Sequence, residues 1–181
     1  MSAQANKKID EQREKENRLA NLYDEYFDKI ARYIYVRVGN RNEAEDLAGD
    51  VFVKALESLK SYKERGIPMQ AWLYRIAHNV SVDHLRKRGR IATVPIDDVL
   101  VESREDPVAT AEKSIEMERV NEAMQKLTTG QREVVRLRFF GELSSKEVGA
   151  MLSKSDGAVR EMQRAAIERL RRLLTGEEPD F

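Results

Sequence analysis

Apolar residues recur at three- and four-residue intervals along most of the chain, the signature of helices that bury one face. The sharpest block is Met69–Arg90, MQAWLYRIAHNVSVDHLRKRGR, where Trp72, Leu73, Ile76, Ala77 and Val80 mark an inner face. Arg75, His78, Asn79 and Asp83 mark the outer one, and Gly89 is placed to end the helix. Upstream, Leu19, Leu22, Tyr23, Tyr26, Phe27, Ile30, Tyr33 and Ile34 form a broad stripe that stops near Gly39-Asn40. Asn42 is expected to cap the next helix, with Glu43, Glu45 and Asp46 in its first turn and Ala48, Val51, Phe52, Ala55, Leu56 and Leu59 buried. Ser61–Pro68, with Gly66 inside it, reads as a loop, and Met1–Arg18, almost entirely polar, predicts a solvated helical extension.

The second half begins differently. Ala92–Glu118 is dominated by acid and interrupted by Pro95 and Pro107, so Ala92 to about Thr110 reads as an acidic linker, with helix resuming before Met117. Met117, Val120, Met124 and Leu127 then give an amphipathic helix. Thr128 with Gln131 forms a capping box for a helix burying Val134, Val135, Leu137 and Phe139, and Ser144 with Glu147 forms another for a short helix burying Val148, Met151 and Leu152. After Ser153-Lys154-Ser155 a longer helix buries Val159, Met162, Ala166, Leu170 and Leu173. A short helix, a tight turn and a longer helix make a helix-turn-helix.

Composition supports an all-α chain: 35% of residues are charged and 7% aromatic. There is no cysteine, which excludes disulfides and thiolate zinc sites. No apolar run approaches the roughly 20 residues of a membrane span, so a soluble, cytoplasmic protein without membrane insertion is expected. The formal net charge is zero, whereas autonomous nucleic-acid binders are usually basic. Any surface for DNA must therefore be local.

Three surfaces carry candidate chemistry. Asp46, Asp50, Lys54 and Glu57 share one outer helix face, as a solvated stripe or a protein-docking surface would. Arg75, Arg86, Lys87 and Arg88 put positive charge near the amide of Asn79, a combination that can hold a phosphate backbone and inspect bases. In the helix-turn-helix, Ser155, Arg160, Glu161, Gln163 and Arg164 stand where major-groove contacts are made, while Lys146, Lys154, Arg169, Arg171 and Arg172 suit phosphates. Two rival readings are an autonomous helix-turn-helix regulator and a metal-dependent nuclease built from Asp46, Asp50, His78, Asp83 and His84. The latter residues lack metal-ligand spacing, so no enzyme activity, metal or cofactor is expected.

Three runs in order, NEAEDLAGDVFVKAL (Asn42–Leu56), AWLYRIAHNVSVDHLRKR (Ala71–Arg88) and Leu127–Leu174, resemble the extracytoplasmic-function sigma factors of the sigma-70 family. The resemblance implies an extension at 1–18, sigma domain two at 19–91, a flexible acidic linker at 92–113, sigma domain four at 114–175 and a tail at 176–181. It implies that Asp46, Asp50 and Lys54 dock on core RNA polymerase. Arg75, Asn79, Arg86, Lys87 and Arg88, with the Lys60–Met69 loop, would open and read the minus-ten promoter element. Lys154, Ser155, Arg160, Glu161, Gln163 and Arg164 would engage the minus-thirty-five element. Ser153, where the family often has glycine, and Glu161 and Gln163 depart from the common pattern. An anti-sigma factor is a further implied partner, with the protein a monomer outside the holoenzyme. The resemblance also implies that the acidic linker, with Asp97, Asp98, Glu102, Glu105 and Asp106, threads along the polymerase cleft.

Overall fold

The computed structural model describes residues 2–64, 66–89 and 111–176. Every regular element among them is helical: α1 (Ser2–Val38), α2 (Arg41–Ser58), a single 3-10 turn (Leu59–Ser61), α3 (Met69–Lys87), α4 (Ala111–Gln125), α5 (Thr129–Val135), a π-helical stretch (Arg136–Phe140), α6 (Ser145–Leu152) and α7 (Asp156–Thr175). The linker carboxylates Asp97 to Asp106 lie outside the described residues.

In the first module α1, α2 and α3 pack around Ile30, Tyr33, Ile34, Val51, Ala55, Leu73, Tyr74 and Ala77. Two expectations change. The cap of α2 is Asn40 rather than Asn42: its extended backbone lets Oδ1 accept from the Glu43 amide at 3.0 Å, leaving Asn42 inside the first turn. Leu56, assigned to the buried face, is 58% exposed, as is neighbouring Val53 at 56%. Alternation cannot separate an inner from a flanking position when the apolar stripe is this wide. Gly89 follows α3 in the left-handed conformation, as expected for a helix stop.

In the second module both capping boxes form, Thr128 with Gln131 and Ser144 with Glu147. Arg132, buried, donates to the carbonyls of Met124, Gln125 and Leu127 at 2.9–3.1 Å and so closes the end of α4. Phe139, expected inside, is 52% exposed. The chain winds in a wider π-helical turn across Arg136–Phe140, which shifts its angular position relative to the α-helical period of α5. The helix-turn-helix is α6 and α7. Its turn needs a close approach at Gly149, where an added Cβ would sit 2.6 Å from the Lys154 carbonyl oxygen, and it takes a left-handed residue at Ser153.

The modules share a core. Val134, Leu137, Leu143, Val148 and Val159 of the second belong to the same buried cluster as Ile30, Tyr33 and Tyr74 of the first, while Leu127, Val135 and Ala166 form a smaller cluster beneath α4.

Candidate nucleic-acid and protein interfaces

α2 presents the first candidate surface. Asp46, Asp50, Lys54 and Glu57 are all exposed, as the spacing predicted, and Val53 and Leu56 lie among them. Acid, a lysine and two large apolar side chains on one solvent face is what a protein partner can cover.

The basic end of α3 divides. Arg86 and Lys87 are exposed, with Arg86 3.4 Å from Asp83. Arg88 bends back to Glu43 at 2.6 Å, and His84 reaches the same carboxylate at 3.3 Å. Arg88 therefore ties the end of α3 to the start of α2. The loop ahead of α3 is rooted by Tyr62, whose ring packs on Trp72 at 4.8 Å between centroids and whose hydroxyl donates to the Ile67 carbonyl at 3.1 Å. Lys60, Ser61, Lys63 and Glu64 around it are exposed.

The remaining α3 residues face the second module. Arg75 donates to the carbonyls of Ala150 and Met151 at 3.3 and 3.0 Å, so its cation sits at the negative end of α6. Arg75, His78 and Asn79 line a cleft of about 560 Å3 with Thr129, Glu133 and Lys154. A residue expected to read the minus-ten element and one expected at the minus-thirty-five element thus share one crevice. At its floor Glu133 meets the buried Arg37 guanidinium, accepts from the Tyr33 hydroxyl at 2.6 Å, and lies 3.7 Å from His78 and 3.9 Å from Arg136. Burial alone would raise the Glu133 carboxyl; the Arg37 charge, His78 and Arg136 outweigh it and hold the group far below its ordinary 4.5. Burial and the neighbouring Arg37 cation lower Arg136 to about 10. Arg37 Nε and Arg136 Nε have no hydrogen-bond partner among the described residues, and each orphaned donor costs about 1–3 kcal/mol. Nothing in the amino-acid order signals this cluster, because its members come from α1, α3, α5 and the π-helical stretch.

On the helix-turn-helix, Ser155 caps α7 by accepting from the Ala158 amide at 3.1 Å. Arg160 pairs with Asp156; Arg164 pairs with Glu161 at 3.0 Å and with Glu168 at 3.8 Å. Arg160, Glu161, Arg164 and Lys154 are exposed. Gln163 is half-buried, its carbonyl oxygen accepting from Arg138 Nε at 2.8 Å. The nuclease constellation does not converge: Asp46 and Asp50 face solvent on α2, whereas His78 and His84 sit against Glu133 and Glu43.

Comparison with known proteins agrees with this layout. The family model for sigma-70 region 2 matches residues 22–91 and that for sigma-70 region 4 matches residues 123–172. The extracytoplasmic-function RNA polymerase sigma factor BldN of Streptomyces coelicolor is 34% identical over 155 residues, 84% of this chain and 59% of BldN. SigD of Mycobacterium tuberculosis is 32% identical over 148 residues, 78% of this chain and 70% of SigD. The chain therefore spans less than two thirds of BldN and a little more than two thirds of SigD. Among solved structures, CnrH in complex with the cytosolic domain of CnrY superposes with a TM-score of 0.62 at 25% identity, covering 90% of this chain and 91% of CnrH. With both sigma-70 regions matched in order on an all-helical fold, the chain belongs to the extracytoplasmic-function RNA polymerase sigma factors.

Proposed function

We propose that this protein binds core RNA polymerase and directs promoter-specific transcription initiation, acting in the cytoplasm and on the nucleoid when in holoenzyme. The observation that carries the polymerase contact is the solvent face of α2, where Val53 and Leu56 stand exposed among Asp46, Asp50 and Lys54. Large apolar residues ringed by charge mark a protein-binding patch better than a solvated face does. The promoter contacts divide between α3 with its preceding loop and the start of α7. In this reading the protein has no catalytic role of its own, and its DNA affinity arises within the polymerase complex, which accounts for a net charge of zero.

DNA engagement in this reading requires the modules to part, because Arg75 is occupied by the carbonyls of α6 and Asn79 looks into the shared cleft. We include an anti-sigma factor among the partners; the closed arrangement gives such a protein a state to bind. Run-off transcription with purified core polymerase on a promoter library tests the whole reading. Asp50→Arg and Leu56→Asp, both folded, are expected to weaken polymerase binding by charge repulsion and by loss of apolar contact. Unchanged affinity in both removes α2 as the docking element, and DNA binding of equal strength without polymerase favours an autonomous regulator instead.

A further inference from the structure

The first turns of α1 precede the core and precede residue 22, where the match to sigma-70 region 2 begins. Ile9 on this segment is exposed, and among the described residues the first buried one is Leu19. Yet α1 is one continuous helix from Ser2, and two of its side chains reach the loop ahead of α3. Lys15 donates from Nζ to the Tyr62 carbonyl at 2.9 Å, and Arg18 pairs with Glu64 at 2.9 Å.

The geometry is matched on both sides. Lys15 and Arg18 are three residues apart and so share a helix face, about 4.5 Å apart along the axis. Tyr62 and Glu64 are alternate residues of a segment that leaves Tyr62 in extended conformation, a repeat of roughly 6.5 Å. Two anchors on the helix thus meet two anchors on the loop, with exposed Lys63 held between them. The same Tyr62 is fixed from inside by Trp72 and by the Ile67 carbonyl. The Arg18–Glu64 pair is about half exposed on both sides, where an ion pair adds little to stability in water. What it can set is where the loop stands.

We propose that Lys15 and Arg18 are positioning residues that brace the Tyr62–Glu64 segment, and that this brace sharpens base discrimination in the minus-ten element. The inference rests on the assignment of the loop to that element under the proposed function. Lys63 then offers its cation to the backbone of the opened strand from a fixed place, and the neighbouring bases are inspected in one register instead of several. Without the brace the loop still binds, but it accepts more sequences.

The test uses the full-length chain reconstituted with core polymerase, in competitive run-off transcription on promoters carrying single-base changes across the minus-ten element. The variants are K15M/R18M, R18E, E64R, R18E/E64R and, as a probe of the loop itself, K63E. K15M/R18M is expected to lower the ratio of preferred to altered promoters about fivefold, the equivalent of one hydrogen bond. Thermal midpoint and core-polymerase affinity should match the parent. R18E should lose discrimination and R18E/E64R regain it, a rescue that a merely structural role would not produce at constant stability. Parent-like discrimination in K15M/R18M, with K63E impaired, overturns the brace alone. Parent-like discrimination in both withdraws the loop assignment and the brace with it.

Discussion

The hydroxyl of Tyr74, on α3, donates a 2.6 Å hydrogen bond to the backbone carbonyl of Gly141, just past the π-helical stretch of the second module. Tyr74 is fully buried, and a Cβ on Gly141 would lie 2.9 Å from its ring and 2.7 Å from the Leu137 carbonyl oxygen. The residue at 141 thus has to be glycine for reasons of space, since its φ of −84° is open to any side chain. Each module supplies what the other needs: one has a phenol to satisfy, the other a carbonyl.

Tyr74→Phe removes the donor and takes away the hydrogen bond to the Gly141 carbonyl in a buried contact, a loss of about 1–3 kcal/mol. That loss should fall on the contact between modules, with both helical units retained. Small-angle scattering is expected to show a larger radius of gyration, and far-ultraviolet circular dichroism no change. An unchanged radius would mean that the shared apolar core alone holds the modules together.

Glu133 gives the same contact a pH dependence. Its carboxyl faces Tyr33 and Arg37 on α1, His78 on α3 and Arg136 beside it, and is held far below its ordinary 4.5. A depressed acid contributes stability that is complete above the unfolded value and is lost as pH falls below it, at up to about 1.4 kcal/mol per pH unit. The modules should therefore remain closed at neutral pH and separate progressively below about 4.5. Glu133→Gln, which leaves Arg37 and Arg136 buried without a counter-charge, should be open already at pH 7. Scattering across a pH series from 7 to 3 checks both, and a Glu133→Gln variant that is closed at pH 7 and expands on acidification as the parent does would place the titrating group elsewhere.

This contact marks the limit of what the amino-acid order conveys. Local signals came through: both capping boxes, the helix-turn-helix, the helix stop at Gly89 and the exposed stripe of α2 depend on residues a few positions apart. Glu133, Arg37 and His78 are brought together only by tertiary packing, and periodicity assigns each simply to a polar face. The same blindness made Arg75 and Arg88 look like free cations, when one is held by α6 and the other by Glu43. Leu56 and Phe139 fail for another reason: a wide stripe does not define its own edge, and a π turn breaks the period on which the assignment rests.

Ser153 ends α6 with φ 56° and ψ 43°, a left-handed conformation that non-glycine residues adopt at a cost of about 1–2 kcal/mol. Glycine there relieves the strain but loses roughly 0.5–1 kcal/mol more chain entropy on folding. The balance predicts that Ser153→Gly stabilises the second module by about 0.5–1 kcal/mol. Chemical denaturation monitored through that module measures it. A destabilised variant would show that the serine contributes a compensating contact.

The charged face of α7 makes the last prediction. Arg160 and Arg164 are exposed, but in the free protein each is turned toward a carboxylate of its own helix, Asp156 for the first and Glu161 and Glu168 for the second. Such pairs are weak in water, so they leave the arginines available to DNA while damping attraction to phosphate at large. Loss of a bidentate arginine–guanine contact in Arg160→Ala or Arg164→Ala should lower affinity for the cognate upstream element by about five- to a hundredfold, with little effect on unrelated duplexes. If an arginine touches phosphate alone, the loss should be equal on every sequence. Glu161 separates the roles on this helix. Removing its carboxylate in Glu161→Ala leaves Arg164 with Glu168 alone and takes a negative charge off the face proposed to meet DNA, so binding to all sequences should tighten and its salt dependence steepen. If Glu161 instead accepts from a cytosine amino group, the variant should lose preference at one base pair. Holoenzyme affinities for single-base variants of the upstream element, measured at two salt concentrations, distinguish these outcomes. No response to any of the three substitutions would remove the start of α7 from the promoter contact.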